Sequence, residues 1–250
     1  MIGAVLIVAG LAGVWELYVD LGGVDPLVLP APHEIARSLW EDRGLLGHDL
    51  GVTAQEVLLG IAVAVAIGVL CAMAVHFFRP VRRAVYPLLV ASQTIPVPVI
   101  APLLVVWLGF GLGPKLLVIG LICFFPVTVS TLDALATVDP ALVKLMRTLD
   151  ASRWQLFRRV EAPTALPALF SGARIAVAVA VIAAVLGETA GSSDGLGHLI
   201  TVATGELETA QAYAAVVLLS ALAVALFAVL TALERVLVPW ARTSGGTPTP

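Results

Sequence analysis

The sequence predicts an all-α integral membrane protein with about six transmembrane helices. Three observations carry this. Hydrophobic residues make up 60% of the 250, and charged residues only 12%, about half the roughly one quarter that covers a water-facing domain. Mean hydropathy is +1.02, and apolar stretches of about 20 residues recur, the length that crosses a bilayer. The basic residues cluster in alternate connections between those stretches, as membrane insertion demands.

The spans fall at roughly 2–19, 57–77, 84–108, 113–132, 164–187 and 212–233. No Lys or Arg precedes the first, and Glu16 interrupts its end. A removable signal peptide normally opens on a basic region, so the first stretch reads as a span. Residues 1–56 are then a first span plus an outer amphipathic segment, and 57–240 a transmembrane core. Residues 241–250 read as a disordered cytoplasmic tail. With the N-terminus cytoplasmic, the inner connections hold Arg79, Arg82, Arg83, Lys144, Arg147, Arg153, Arg158, Arg159, Arg235 and Arg242. The outer loops hold only Arg37 and Arg43, so both termini are expected on the cytoplasmic side.

Segment 20–56 is too polar to span. It predicts short surface helices at Pro32–Trp40 and Leu45–Gln55, the first with proline at its start. The sequence has no GxxxxGK[ST], so this chain is not expected to hydrolyse a nucleotide, and it is not expected to be an enzyme. No nucleic-acid partner is expected. His33, His48 and His198 are scattered and suggest no metal site. Cys71 and Cys123 lie inside apolar spans and read as small hydrophobes.

The third span carries Ser92, Gln93, Thr94, Pro96, Pro98 and Pro102. Each proline removes a backbone donor, and lipid cannot satisfy the freed carbonyls. The span is either broken, its polar residues facing a pathway, or a kinked helix whose Ser92 and Thr94 bond their own backbone. Glu188, where the fifth span meets the outer side, either lines a pathway or stands in interfacial water. The fifth span is dense in small residues, Ser171 through Gly187, which lets helices approach closely.

The connection at 133–163 is too long for a simple turn. Residues 140–149 read as a helix with proline at its first turn. Residues 152–160 read as a second, capped by Ser152, with Pro163 and Pro167 then starting the fifth span. Leu142, Leu145, Met146 and Leu149 share one face of the first helix; Trp154, Phe157 and Val160 share one of the second. Two amphipathic helices with basic flanks therefore stand on the cytoplasmic side, suited to anionic lipid or to a docking protein.

This loop resembles the cytoplasmic "EAA" loop of ABC importer permeases, which reads Glu-Ala-Ala, three residues, Gly, nine residues, then Ile-x-Leu-Pro. Here Lys144, Leu145 and Met146 stand for Glu-Ala-Ala, Asp150 for the Gly, and Val160, Ala162 and Pro163 for the end of the pattern. The stretches Leu29–Ile35, Ser92–Pro96, Trp107–Gly111, Phe125–Pro126 and Gly187–Gly197 are similar to the subfamily for nitrate, sulfonate, taurine and thiamine-pyrimidine precursors. Leu135–Pro140 looks most like permeases for the pyrimidine precursor. The resemblance covers about residues 27–240. It implies a type I importer (MetI-like) fold in a bacterial inner membrane. It also implies a permease homodimer, two copies of an ATP-binding subunit carrying ATP and Mg, and an extracytoplasmic substrate-binding protein. Lys144, Arg147, Leu149, Asp150, Ala151, Ser152, Arg153 and Trp154 would lie in the docking segment, and the third and fifth spans would line the path. A secondary transporter would need paired ionisable groups within the spans, and a membrane enzyme clustered ones. Glu16, Arg174 and Glu188 stand unpaired by sequence.

Overall fold

The computed structural model describes residues 2–78, 83–85, 87, 89, 91 and 94–240. Arg79, Arg82, Ser92, Gln93, Arg242 and the expected tail at 241–250 lie outside the described residues. Among the described residues the chain is helical, without strands.

Helix α1 runs Ile2–Gly22 and α2 runs Pro32–Glu41, with proline in its first turn and the Glu34 carboxylate accepting from Ala31 N at 2.9 Å. Helix α3 is a single 35-residue helix, Arg43–Phe77. The separate surface helix expected at Leu45–Gln55 is its outer third. No proline interrupts residues 43–77, and one buried stripe climbs the whole length through Leu46, Asp49, Thr53, Glu56, Gly60, Ala64, Gly68, Ala72 and Val75. Spacings of three and four place these on one face.

The third span is broken. Helical residues reach Ala91, the chain turns at Thr94, and α4 begins only at Val97, running to Leu108. Residues before proline are pushed out of the helical region, and Pro96 and Pro98 act in succession. The Thr94 hydroxyl donates to Ala91 O at 2.7 Å, so this polar residue at the break bonds its own backbone. Gly109 and Gly111, at φ 79 and 129, reverse the chain into α5, Leu112–Ala136.

Helix α6 spans Pro140–Thr148 and α7 Arg153–Leu156. The second helix of the loop does not stop before the prolines. It continues through a π-turn at Phe157–Glu161 into α8, Ala162–Gly191, giving one apolar helix of 39 residues from Arg153. Ala162 N bonds Phe157 O, five residues back. The widened turn absorbs the backbone donor that Pro163 lacks. Segment 188–211, expected as loop, contains α9, Leu196–Gly205, before the last helix α10, Thr209–Leu237.

The centre is α3, α5 and α8. A side chain at Gly60 would overlap Ile119, and at Gly172 would come 2.7 Å from Pro126 O. Lipid supplies no hydrophobic drive for helix association, so close approach through small residues supplies the contact instead. By length and composition α3, α5, the Arg153–Gly191 helix and α10 can each cross a membrane.

Candidate functional site

Two polar constructions stand at opposite ends of this core. One is the α6–α7 foot. Asp139 accepts from Ala141 N at 2.8 Å and opens α6. The helix closes with Ala151 N donating to Met146 O at 3.0 Å and Asp150 N to Arg147 O at 3.1 Å. That pair of bonds needs a left-handed residue between helix and turn, and Asp150 has φ 53. Asp150 thus occupies the conformation for which glycine is the usual choice, and Asp tolerates it better than most. Two residues later Ser152 Oγ accepts from Gln155 N at 3.3 Å, and the Gln155 side chain accepts from Ser152 N at 2.8 Å. Capping at both ends holds the turn between the helices.

The foot is bare on its outer face. None of α6 is buried, and Leu142, Leu145, Leu149 and Trp154 are exposed, Leu149 to 68%. Lys144, Arg147 and Arg153 are exposed with them. Its root is fixed. Trp154 stacks on Phe157 with centroids 5.5 Å apart; both meet Phe77 at the end of α3, and the Arg153 guanidinium lies 5.6 Å over Phe77. His76 Nε2 bonds Glu161 Oε2 at 2.9 Å, and Trp240 Nε1 donates to Pro163 O at 3.2 Å.

The other construction is a buried charged network. Thr53 Oγ1 donates to Glu188 Oε1 at 2.6 Å and accepts from Leu196 N at 2.9 Å. Gly197 N donates to Glu188 Oε2 at 2.5 Å, and Gly195 N to Asp49 Oδ1 at 3.3 Å. Three successive amides at the start of α9 are therefore met by side chains of α3 and α8. A helix N-terminus carries partial positive charge and orphan donors, which is why carboxylates are tolerated here. Beside them Lys115 Nζ lies 2.5 Å from Glu56 Oε1, with both side chains buried.

Glu188 is 1% exposed, so its placement in interfacial water is corrected: the burial comes from α9 folding over it. Lys115 and Glu56 are paired, and Arg174 pairs with Glu234 across α8 and α10. Arg174, unpaired by sequence, therefore finds its partner only in the fold. Partners distant in sequence could not be matched by inspection. Glu16 accepts from His33 N at 3.2 Å and lies 2.5 Å from His33 Nδ1, capping α2 from α1. Thr94 and Pro96 sit at the break of the third span, away from both constructions.

A family model described as binding-protein-dependent transport system inner membrane component matches residues 64–243. The formylaminopyrimidine transport permease protein ThiX of Halalkalibacterium halodurans is 37% identical over 228 residues, covering 91% of either chain. The riboflavin transport system permease protein RibX of Chloroflexus aurantiacus is 37% identical over 228 residues, 90% of this chain and 85% of its own. Among solved structures, a chain of the inward-facing MetNI methionine ABC transporter superposes with TM-score 0.62 at 20% identity, over 80% of this chain and 97% of that one; it shares the fold. With the family model matching from the middle of α3 to beyond α10, the chain belongs to the binding-protein-dependent transport system inner membrane components, the permeases of ABC importers.

Proposed function

We propose that this chain is the transmembrane subunit of an ATP-driven importer for a small nitrogen heterocycle, with a thiamine pyrimidine precursor as the leading substrate. It works as a homodimer above two copies of an ATP-binding subunit and below an extracytoplasmic binding protein, in a bacterial inner membrane. The single observation behind the mechanism is the foot: an exposed apolar face, 142–154, on a capped turn whose root packs against α3 and α8. A closing ATPase needs such a lever, because a rigid, anchored element transmits displacement where a flexible loop would absorb it. ATP and Mg belong to the partner, so no catalytic step falls to this chain. The relatives named for a formylaminopyrimidine and for riboflavin favour a flat heterocycle over nitrate, sulfonate or taurine.

In this reading the third and fifth spans line the path, with Ser92, Gln93, Thr94 and Pro96 at the break. Glu188 acts by holding the α8–α9 connection at the outer end.

The test changes Leu149→Glu or Ala151→Glu in a reconstituted complex. Binding-protein-stimulated ATPase activity should fall by about tenfold or more while the purified subunit keeps its melting temperature. Unchanged stimulation in both variants rejects the docking assignment. The buried Glu56–Lys115 pair supports one rival, an ion-coupled secondary transporter. Uptake abolished by vanadate and indifferent to a protonophore excludes it; the reverse result establishes it.

A further inference from the structure

We infer that His48, Asp49 and Asp194 form a site for one divalent transition-metal ion of the Zn2+ or Mn2+ kind, at the outer end of α3. The ring nitrogen of His48 and a carboxylate oxygen from each aspartate all lie within 4.8 Å of one another. Ligands bound to one such ion at about 2.0–2.2 Å sit roughly 3–4.4 Å apart, and His48 Nδ1 to Asp49 Oδ1 is 3.1 Å. Ser193 Oγ donates to Asp194 Oδ2 at 2.6 Å, which orients that carboxylate and leaves its other oxygen for an ion. One imidazole with two carboxylates suits Zn2+ or Mn2+. Ca2+ and Mg2+ take oxygen ligands.

A separate observation points the same way. His48 and Asp194 border a pocket of about 430 Å³ that Glu56 and Lys115 also line. The Glu56 side chain is 4% exposed, and its Oε2 is buried without a hydrogen-bond partner among the described residues. An unmet carboxylate oxygen in a low-dielectric wall is costly. Asp49 receives an amide from the start of α9, and Asp194 borders the same pocket as Glu56 and Lys115. Two carboxylates beside one imidazole make an anionic donor set that a dication answers. The scattered histidines of the sequence gave no sign of it, because Asp194 reaches His48 only once α9 has folded against α3. A bound ion would tie α3 to the α8–α9 connection.

The experiment uses the full chain, purified in detergent and stripped with EDTA, titrated with Zn2+ and separately with Mn2+. Metal bound per chain and melting temperature are both read. Saturable binding of about one ion at micromolar metal is expected, with a rise in melting temperature. His48→Gln and Asp194→Asn should each weaken binding by about tenfold, the cost of losing one ligand or its support. His33→Gln controls for the exposed Glu16, Asp20 and His33 group and should change nothing. Asp49 is left intact because it also holds Gly195 N. Metal-free melting temperatures of His48→Gln and Asp194→Asn equal to the parent's show that both fold. Binding absent below millimolar metal, or binding that survives both substitutions, overturns the site. If one of the two variants fails to fold, the other decides.

Discussion

Lys115 on α5 and Glu56 on α3 meet at 2.5 Å with both side chains buried. Such a pair holds two helices in register, yet each member is expensive alone. Removing one partner of a buried pair typically costs about 3–5 kcal/mol, because the other charge is stranded. Lys115→Met is predicted to lower thermal stability by about that amount, and the double change Lys115→Met with Glu56→Met to recover most of it. The reading is a double-mutant cycle by thermal melting. A double variant no more stable than Lys115→Met alone would mean that the pair is not what the lysine serves.

Gly195 has φ 109, and a Cβ there would overlap the Glu188 carboxylate. Gly195→Ala therefore meets backbone strain of order 1–3 kcal/mol together with displacement of Glu188 from Gly197. Reduced accumulation and a lower melting temperature are expected. Gly205→Ala, where a Cβ meets nothing within 4 Å, should be tolerated.

Asp150 predicts an asymmetry between substitutions. Its φ of 53 is freely available to glycine and strained for β-branched residues. Asp150→Gly should keep full ATPase coupling in the reconstituted complex. Asp150→Val should cost about 1–2 kcal/mol locally and weaken coupling. Equal coupling in the two variants would show that this turn does not need the left-handed conformation.

The outer contact between α1 and α2 should respond to pH. The Glu16 carboxylate bonded to His33 holds the imidazole above its ordinary value of 6.5. A raised value means that folding favours the protonated ring. The contact is fully present below about 6.5 and is lost as pH rises through the raised value. Amide exchange at the start of α2 should quicken over that window, and His33→Gln should remove the pH dependence. A flat profile in the parent protein would count against the contact.

The spans were legible from composition because a bilayer imposes length and apolarity directly. The foot was legible as well: Pro140, Ser152 and the apolar spacing of Leu142, Leu145 and Leu149 are local signals for local structure. Asp150 stood out as a departure from the pattern's glycine, and it takes a positive φ, a conformation freely available to glycine. Illegible features were those that depend on distant partners. Nothing near Lys115 names Glu56, and nothing near Glu188 announces that α9 will fold back to bury it. The fusion of Leu45–Gln55 into α3 was missed because a polar outer third looks, by periodicity, like a helix of its own. The continuity of α7 with α8 was missed for a different reason. Pro163 reads as a stop, and only the π-turn at Phe157–Glu161, ending two residues before it, makes it passable.

That π-turn lies directly beneath the ring cluster of Trp154, Phe157, Phe77 and His76. The cluster grips the inner end of α3 and the base of α8 at once. If the foot is driven as proposed, a twist applied to it would be shared between two axles geared together by their aromatic teeth, and they would turn as a pair.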